Sequence, residues 1–394
     1  MTKVAIIGGG PSGVMAAISV KRFHPEYEVV IFEKYFPLKT LLPTGGGRCN
    51  LGFYETDMKS LIKNYPRGEK FLYSIFSQFS TEDTIEFFKS IGVKTYTQDD
   101  GRIFPVSDSS KEVAQALTLQ LKKLKVTVKH SIIKEIKPQG EKFIINNTEF
   151  DKVIIAAGGR YNSPSSGFEL AKSLCHKIID PNPALSSLEI KEKYLSSVSG
   201  VSLKNVTARI SFEDKKLNLT DDLLFTHKGI SGPLAYKISS IYANGKFSKS
   251  NPVIVELDFS NGAEINLQQM LNDNSKKFIL NITDKFMPKA LAKVLLEQIN
   301  LPFEKRCCDI NKTEREQIKV ILTAAKLTVT AALKDGEIVT AGGVDLNEIN
   351  PKTLESKIMP NLYFCGEVLN IDGFCGGFNL QNCWSTGFIA GKNV

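Results

Sequence analysis

A glycine cluster set between a short apolar run and an amphipathic stretch decides what this chain can become. Val4-Ala5-Ile6-Ile7 reads as a buried parallel strand, Gly8-Gly9-Gly10-Pro11-Ser12-Gly13 follows directly, and Ser12 to Phe23 carries an Ala/Val/Ile face at helical spacing. Val29-Val30-Ile31-Phe32 supplies a second strand, with Glu33 at its end, twenty residues past Gly13. The result is a βαβ unit with GxGxxG in the context that gives that pattern meaning. Gly8 permits the tight turn, Gly10 lets a pyrophosphate approach the backbone, and Gly13 lets helix and strand pack closely. The helix N-terminus, at Pro11 and Ser12, offers free N–H groups and partial positive charge to phosphates. Glu33, with Lys34 beside it, is placed to meet the ribose. An acidic residue there disfavours a 2′-phosphate, so the expected dinucleotide is NAD or FAD. The plain alternative is a glycine turn in an ordinary βαβ unit.

Three later segments favour FAD. Leu41-Leu42-Pro43-Thr44-Gly45-Gly46-Gly47-Arg48-Cys49-Asn50 is a second glycine-rich loop that opens no helix of apolar period, which suits backbone lying against a flat ring. Lys152 to Gly159 is a strand ending in Ala157-Gly158-Gly159, beneath the same nucleotide. Near the C-terminus, Tyr363-Phe364-Cys365-Gly366-Glu367 ends a strand and Gly376-Gly377-Phe378-Asn379-Leu380-Gln381 starts a helix.

Between these ends the texture varies. A helix over Thr81 to Ile91 is capped at Ser80 and closed by Gly92. Ser109 to Lys125 forms another, leading to strand Val126-Thr127-Val128 and a meander near Phe143-Ile144-Ile145. Past Pro181-Asn182-Pro183, short alternating segments such as Val206–Ile210 and Val253–Phe259 predict an antiparallel barrel or sandwich. Residues 264–327 carry helical period, strand-like Ile338-Val339-Thr340 follows, and a last helix spans Leu380 to Ala390. The expected division is 1–185 with 341–394, 186–262 with 326–340, and a helical subdomain over 263–325. At 394 residues such a division is ordinary.

A net charge of +8 suits anionic cofactors and falls short of a dedicated nucleic-acid binder, so no nucleic-acid partner is expected. No run of 18 uncharged apolar residues predicts a membrane span. The seven cysteines include no CxxC, and the four histidines show no ligand spacing, which predicts reduced thiols in the cytoplasm and no metal site.

Six blocks together, the N-terminal fingerprint, Thr44–Asn50, Gly101–Pro105, Phe225–Pro233, Thr340–Lys357 and Tyr363–Gln381, resemble the BaiN/YhiN-type family of NAD(P)/FAD-dependent oxidoreductases. These aminoacetone-oxidase-like flavoproteins belong to the glutathione-reductase-like superfamily. The resemblance implies an α/β Rossmann-like FAD-binding domain formed by both chain ends, with an antiparallel β-barrel domain and a small helical domain inserted. It implies that Gly366 and Glu367 meet the ribityl and pyrophosphate portion. The helix after Phe378 would face the flavin pyrimidine edge, and backbone at Ile133 would hold adenine. Two departures stand out: Arg160 to Phe168 replaces a longer glycine- and threonine-rich loop, and Pro37-Leu38-Lys39-Thr40 replaces a basic stretch.

Candidate chemistry concentrates in a few side chains. Cys49, like Cys375, falls in a flavin-proximal motif and could relay electrons, against the alternative of a small packing residue. His227 could transfer a proton, against a structural role. Arg48 and Arg102 could bind a substrate carboxylate or phosphate, against surface ion pairs. The expected activity is NAD(P)H-driven reduction of a conjugated C=C, C=O or C=N bond in a small organic substrate, through hydride transfer at flavin N5. No second GxGxxG follows a strand, so NAD(P)H would bind transiently in the substrate cleft. Rival readings are an amine oxidase using O₂ and a non-catalytic flavin-bearing sensor. Oligomeric state stays open.

Overall fold

Strand β1 (Lys3–Ile7) sits at the centre of a five-stranded sheet because its side chains are buried on both faces. On one side it pairs in parallel with β2 (Glu28–Glu33), which pairs in turn with β3 (Thr127–His130). On the other side come β4 (Lys152–Ile155) and then β6 (Leu362–Phe364), also parallel. The sheet therefore joins strands from both chain ends, and its all-parallel pairing is that of a Rossmann-type fold. The computed structural model describes residues 1–160, 167–212, 215–245, 247–260, 262–334 and 339–394. The expectations for the loop over 161–166 and for a strand beginning at Ile338 fall outside these, the latter in part: β5 spans Val339–Val344.

Helix α1 (Pro11–Phe23) is buried from Pro11 to Val20, and it packs on the sheet and on the C-terminal helix α4 (Phe378–Asn393). Two glycines make this helix pair close. A methyl group built on Gly387 would lie 2.4 Å from the Ser12 carbonyl oxygen, and one on Gly391 would lie 2.3 Å from that of Ala16. Both contacts advance together along the two sequences, so α1 and α4 run parallel. Helix α2 (Thr81–Ser90) starts at a capping box in which Ser80 and Asp83 satisfy each other's backbone N–H. Helix α3 (Ser110–Lys123) precedes the edge strand β3.

The chain divides into two compact units, Met1–Asn182 with Ile338–Val394, and Pro183–Glu337. The second closes a barrel from Leu188–Ile190, Gly229–Ser231, Lys215–Phe225, Ser202–Phe212, Val253–Asp258 and Ala325–Ala332, in that order. Alternate residues such as Val253, Val255 and Leu257 fill it. Helices Leu267–Asp273, Lys289–Gln298 and Lys312–Thr323 share its hydrophobic core, where Leu291, Leu296 and Leu322 are fully buried. One expectation changes in character: Pro181 and Pro183 lie within a strand, Ile178–Ala184, that among the described residues pairs with β5 alone. A strand with a neighbour on one side tolerates residues that lack an N–H.

Candidate cofactor site

The turn from β1 into α1 gives each glycine a separate reason. Gly8 has φ +105°, and a methyl built on it would collide with the Ala156 carbonyl oxygen at 2.4 Å. On Gly13 a methyl would reach 2.0 Å from the Gly8 carbonyl oxygen. Gly10 differs from both. Its φ is −72°, which any residue adopts, and a methyl there would meet only Thr40 Oγ1 at 3.7 Å. Neither backbone strain nor packing calls for glycine at Gly10, so the open face it leaves is the feature that fits a ligand group lying on the backbone. The first turn of α1 has no side-chain cap and no acidic residue, so its positive end is open to an anion, although Pro11 has no N–H and the Ser12 N–H faces the Cys383 thiol.

Glu33 closes the far side of the turn. Its Oε2 accepts from Gly9 N–H at 2.6 Å and its Oε1 from Tyr35 N–H at 2.9 Å. The carboxylate expected to serve a ribose therefore also holds the glycine turn, with lone pairs to spare. Lys34 lies 4.9 Å from the Tyr35 ring, and Ile133, nearly buried, follows β3, where Ser131 N–H donates to the Glu33 carbonyl.

The second glycine loop is a kinked tight turn, Thr44–Gly47, in which Gly45, Gly46 and Gly47 all have positive φ. Methyl groups on Gly46 and Gly47 would meet nothing within 4 Å. Cys49 forms the turn's buried side. It has no exposed surface, and burial pushes its thiol up to about 12, with a hydrogen bond involving Thr44 opposing. A thiol held protonated is a poor nucleophile, so the structure favours the packing role for Cys49. Cys375 is exposed, while burial pushes the Cys365 thiol up to about 12 and raises that of Cys383.

Asn50 brings this loop to the start of α4. A methyl on Gly377 would lie 2.6 Å from Asn50 Oδ1 and 2.4 Å from the Gly52 carbonyl oxygen. Asn50 Oδ1 is buried without a hydrogen bond among the described residues, and Trp384 Nε1 donates to the Leu51 carbonyl at 2.9 Å. Helix α4 begins at Phe378, two residues earlier than the apolar period indicated, and its first turn has neither a side-chain cap nor an acidic residue. Gly376 and Gly377 both have positive φ, and the Asn379 side chain clamps Gly373 through both its donor and its acceptor. Leu380 is partly buried against the core.

The two uncapped helix starts point the same way. Gly387 packs at the first turn of α1, and Phe378 lies nine residues before it, so the α4 start stands about 13 Å further along at 1.5 Å per residue. Two positive helix ends spaced along one side suit an extended anionic ligand with a second electron-rich end. At the start of α1, Gly366 packs on Ser12, where a methyl would reach Oγ at 2.3 Å. Glu367 Oε1 accepts from Thr340 N–H at 2.7 Å, and its Oε2 lies 4.0 Å from a methyl built on Gly158. Ala157 and Gly158, the latter at φ +74°, end β4 beside them. The hold of β5 on Glu367, and on the Arg160 N–H that donates to Thr340 Oγ1 at 3.0 Å, escaped the sequence reading.

Arg48 and Arg102 flank Phe104: the Arg48 guanidinium stands 4.1 Å from the ring centroid and that of Arg102 stands 5.8 Å away. Arg48 also approaches Asp108 at 3.9 Å, and Arg102 pairs with Asp100 at 2.6 Å, both near the surface. His227 lies exposed in the tight turn Thr226–Gly229 of the barrel unit. Among the described residues no cluster of His, Cys, Asp or Glu could hold a metal, and no helix is long and apolar enough to cross a membrane.

The sequence profile of the HI0933-like protein Rossmann domain matches residues 2–393. The chain belongs to that family. A 3-dehydro-bile acid delta(4,6)-reductase of Clostridium scindens is 31% identical over 100% of this chain and 98% of its own length. A ribosomal RNA dihydrouridine synthase of Haemophilus influenzae is 25% identical over 99% and 97%. Among solved structures, 3-ketosteroid delta1-dehydrogenase from Sterolibacterium denitrificans shares the fold, with a TM-score of 0.51 at 11% identity and 99% coverage of both chains. The HI0933-like family is the FAD-binding, BaiN/YhiN-type group that the motifs resemble, and the chain is a flavin-dependent oxidoreductase.

Proposed function

We propose that this HI0933-like protein reduces a C=C bond conjugated to a carbonyl group, with NAD(P)H as electron donor. When bound, FAD supplies two-electron hydride acceptance and donation at its N5. Open Gly10 and the uncapped first turn of α1 would seat the diphosphate, and the uncapped start of α4 would face the pyrimidine edge, where negative charge gathers on reduction. The observation that carries the reading is this pair of parallel helix starts. The names of the relatives support the reaction type, since a 3-dehydro delta(4,6) bile acid and a uridine both present a C=C bond conjugated to a carbonyl. Saturation adds a hydride to the β-carbon and a proton to the α-carbon, so the chain must also deliver a proton.

Anaerobic mixing of the yellow holoprotein with NADH and NADPH, followed by a 3-oxo-4-ene steroid, tests both halves. The flavin band should bleach with one nicotinamide and return with the enone. No bleaching with either nucleotide overturns the donor, and no return overturns the acceptor class.

A second substrate, a uridine within RNA, is favoured by one feature. Residues 122–137 hold six lysines against one glutamate, all exposed, along the end of α3, the edge strand β3 and the segment after it. Such a strip suits a phosphate backbone. Mass spectrometry of transcripts incubated with enzyme and NAD(P)H should show a gain of two hydrogens per modified uridine if RNA is the substrate.

A further inference from the structure

The segment Asn64–Gly68 belongs to no motif, yet it braces the loop that leads into α4. Phe374 N–H donates to the Asn64 carbonyl at 2.9 Å, and the Tyr65 hydroxyl donates to the Phe378 carbonyl at 2.8 Å. Arg67 Nε donates to Asp372 Oδ1, and a methyl on Gly68 would meet Ile371 Cγ1 at 3.0 Å. Four successive contacts therefore run along residues 371–378 and end on the first residue of α4.

The ion pair is the unexpected member. Asp372 has no exposed surface, the Arg67 side chain is 12% exposed, and Asp372 Oδ2 makes no hydrogen bond among the described residues. Burying such a pair strips water from both ions before the attraction is counted, and an apolar pair of similar volume would hold a loop as well or better. A charge kept at that cost beside a helix start acts on whatever charge develops there. Burial pushes the Asp372 carboxyl up, and the guanidinium pulls it back. Enclosed by protein, it acts through the loop.

We propose that Arg67 and Asp372 are positioning residues that fix the first turn of α4 and set how readily the bound flavin is reduced. This rests on the flavin reading above. Asp372→Asn leaves a buried cation beside the positive end of α4, which favours the more negative, reduced flavin. Arg67→Met leaves a carboxyl that burial already pushes up, so it takes a proton and adds no charge. Asp372→Asn should thus raise the midpoint potential by about tenfold in the reduced-to-oxidised ratio at fixed potential, roughly 30 mV for a two-electron couple, and Arg67→Met should leave it within about twofold. Loss of structure alone would move stability in both variants and the potential by like amounts in both.

Photoreduction of FAD-loaded variants against a reference dye reads the potential without turnover. A rise in Asp372→Asn with no matching rise in Arg67→Met supports the proposal; a shift under twofold or a fall in Asp372→Asn, or like shifts in both variants, overturns it. Wild-type protein that refuses FAD overturns the flavin reading instead. Should the charge variants fail to fold, Tyr65→Phe removes one bond of the brace and no charge. It should release FAD several-fold faster at unchanged potential, and an unchanged release rate overturns the brace.

Discussion

The turn Gly8–Gly13 and the loop Thr44–Gly47 are both rich in glycine, and they use it for different ends. In the first, Gly8 and Gly13 are fixed by contact with backbone oxygens, while Gly10 is fixed by nothing in the protein. In the second, three consecutive positive φ angles demand glycine, and two of the three face open space. One segment is a packed seat with a single open position; the other is an open surface held in an unusual backbone shape. The difference predicts how each responds to one added methyl group.

The largest response belongs to Gly13→Ala. Its methyl would overlap the Gly8 carbonyl at 2.0 Å, and both partners are backbone. Overpacking of this kind costs about 3 kcal/mol, and more if β1 must move. Thermal unfolding of the apoprotein should show the loss. An apoprotein as stable as wild type would mean that α1 and β1 are not packed as described.

Gly10→Ala separates ligand from scaffold. The unfolding midpoint of the apoprotein should hold within about 0.5 kcal/mol, as for a substitution that touches nothing. FAD affinity should fall by about tenfold, 1.4 kcal/mol, because the methyl projects from the face on which the diphosphate would lie. Equal affinity by equilibrium titration would remove Gly10 from the cofactor site.

These contrasts also mark what could be read from sequence. The β1–α1–β2 unit was legible because a strand period, a helix period and glycine punctuation agree within thirty residues. Ser80 and Asp83 declared α2 through a local capping box. Closure of the barrel was not legible at the same level. The alternation in Val206–Ile210 and Val253–Phe259 fits barrel and sandwich alike, and only pairings such as Leu188 with Ala332, 144 positions apart, close the ring. The brace at Asn64–Gly68 was invisible for the same reason. Its partners lie some 300 residues away, and no local period announces a tertiary contact. Glycine marked where backbone is special; whether packing or an open face requires it became clear only with neighbours in place.

Gly46→Ala tests the second loop on its own terms. At φ +68° an alanine pays the left-handed penalty of about 1 kcal/mol and meets no steric obstacle. Stability measured by denaturant should fall by about that amount, a third of the loss at Gly13. A loss as large would mean that the loop is packed after all.

The smallest effects are expected at Arg48 and Arg102, which lie on the same loop and on the strand Arg102–Pro105. Arg48 is 38% exposed and makes a long ion pair with Asp108 and a cation–π contact with Phe104. Exposed pairs contribute about 0–1 kcal/mol, and a cation–π contact at an exposed site about 0.5–1 kcal/mol. Arg48→Gln should therefore cost no more than about 1 kcal/mol, and so should Arg102→Gln, whose shorter pair with Asp100 is just as exposed. Because the structural role is so small, these two variants report cleanly on substrate. If the pair grips a substrate carboxylate or phosphate, KM should rise tenfold or more for a substrate bearing that group and stay level for its neutral ester. Equal KM values for acid and ester would leave both arginines as surface charges around Phe104, and the open side of the second loop would then serve the ring alone.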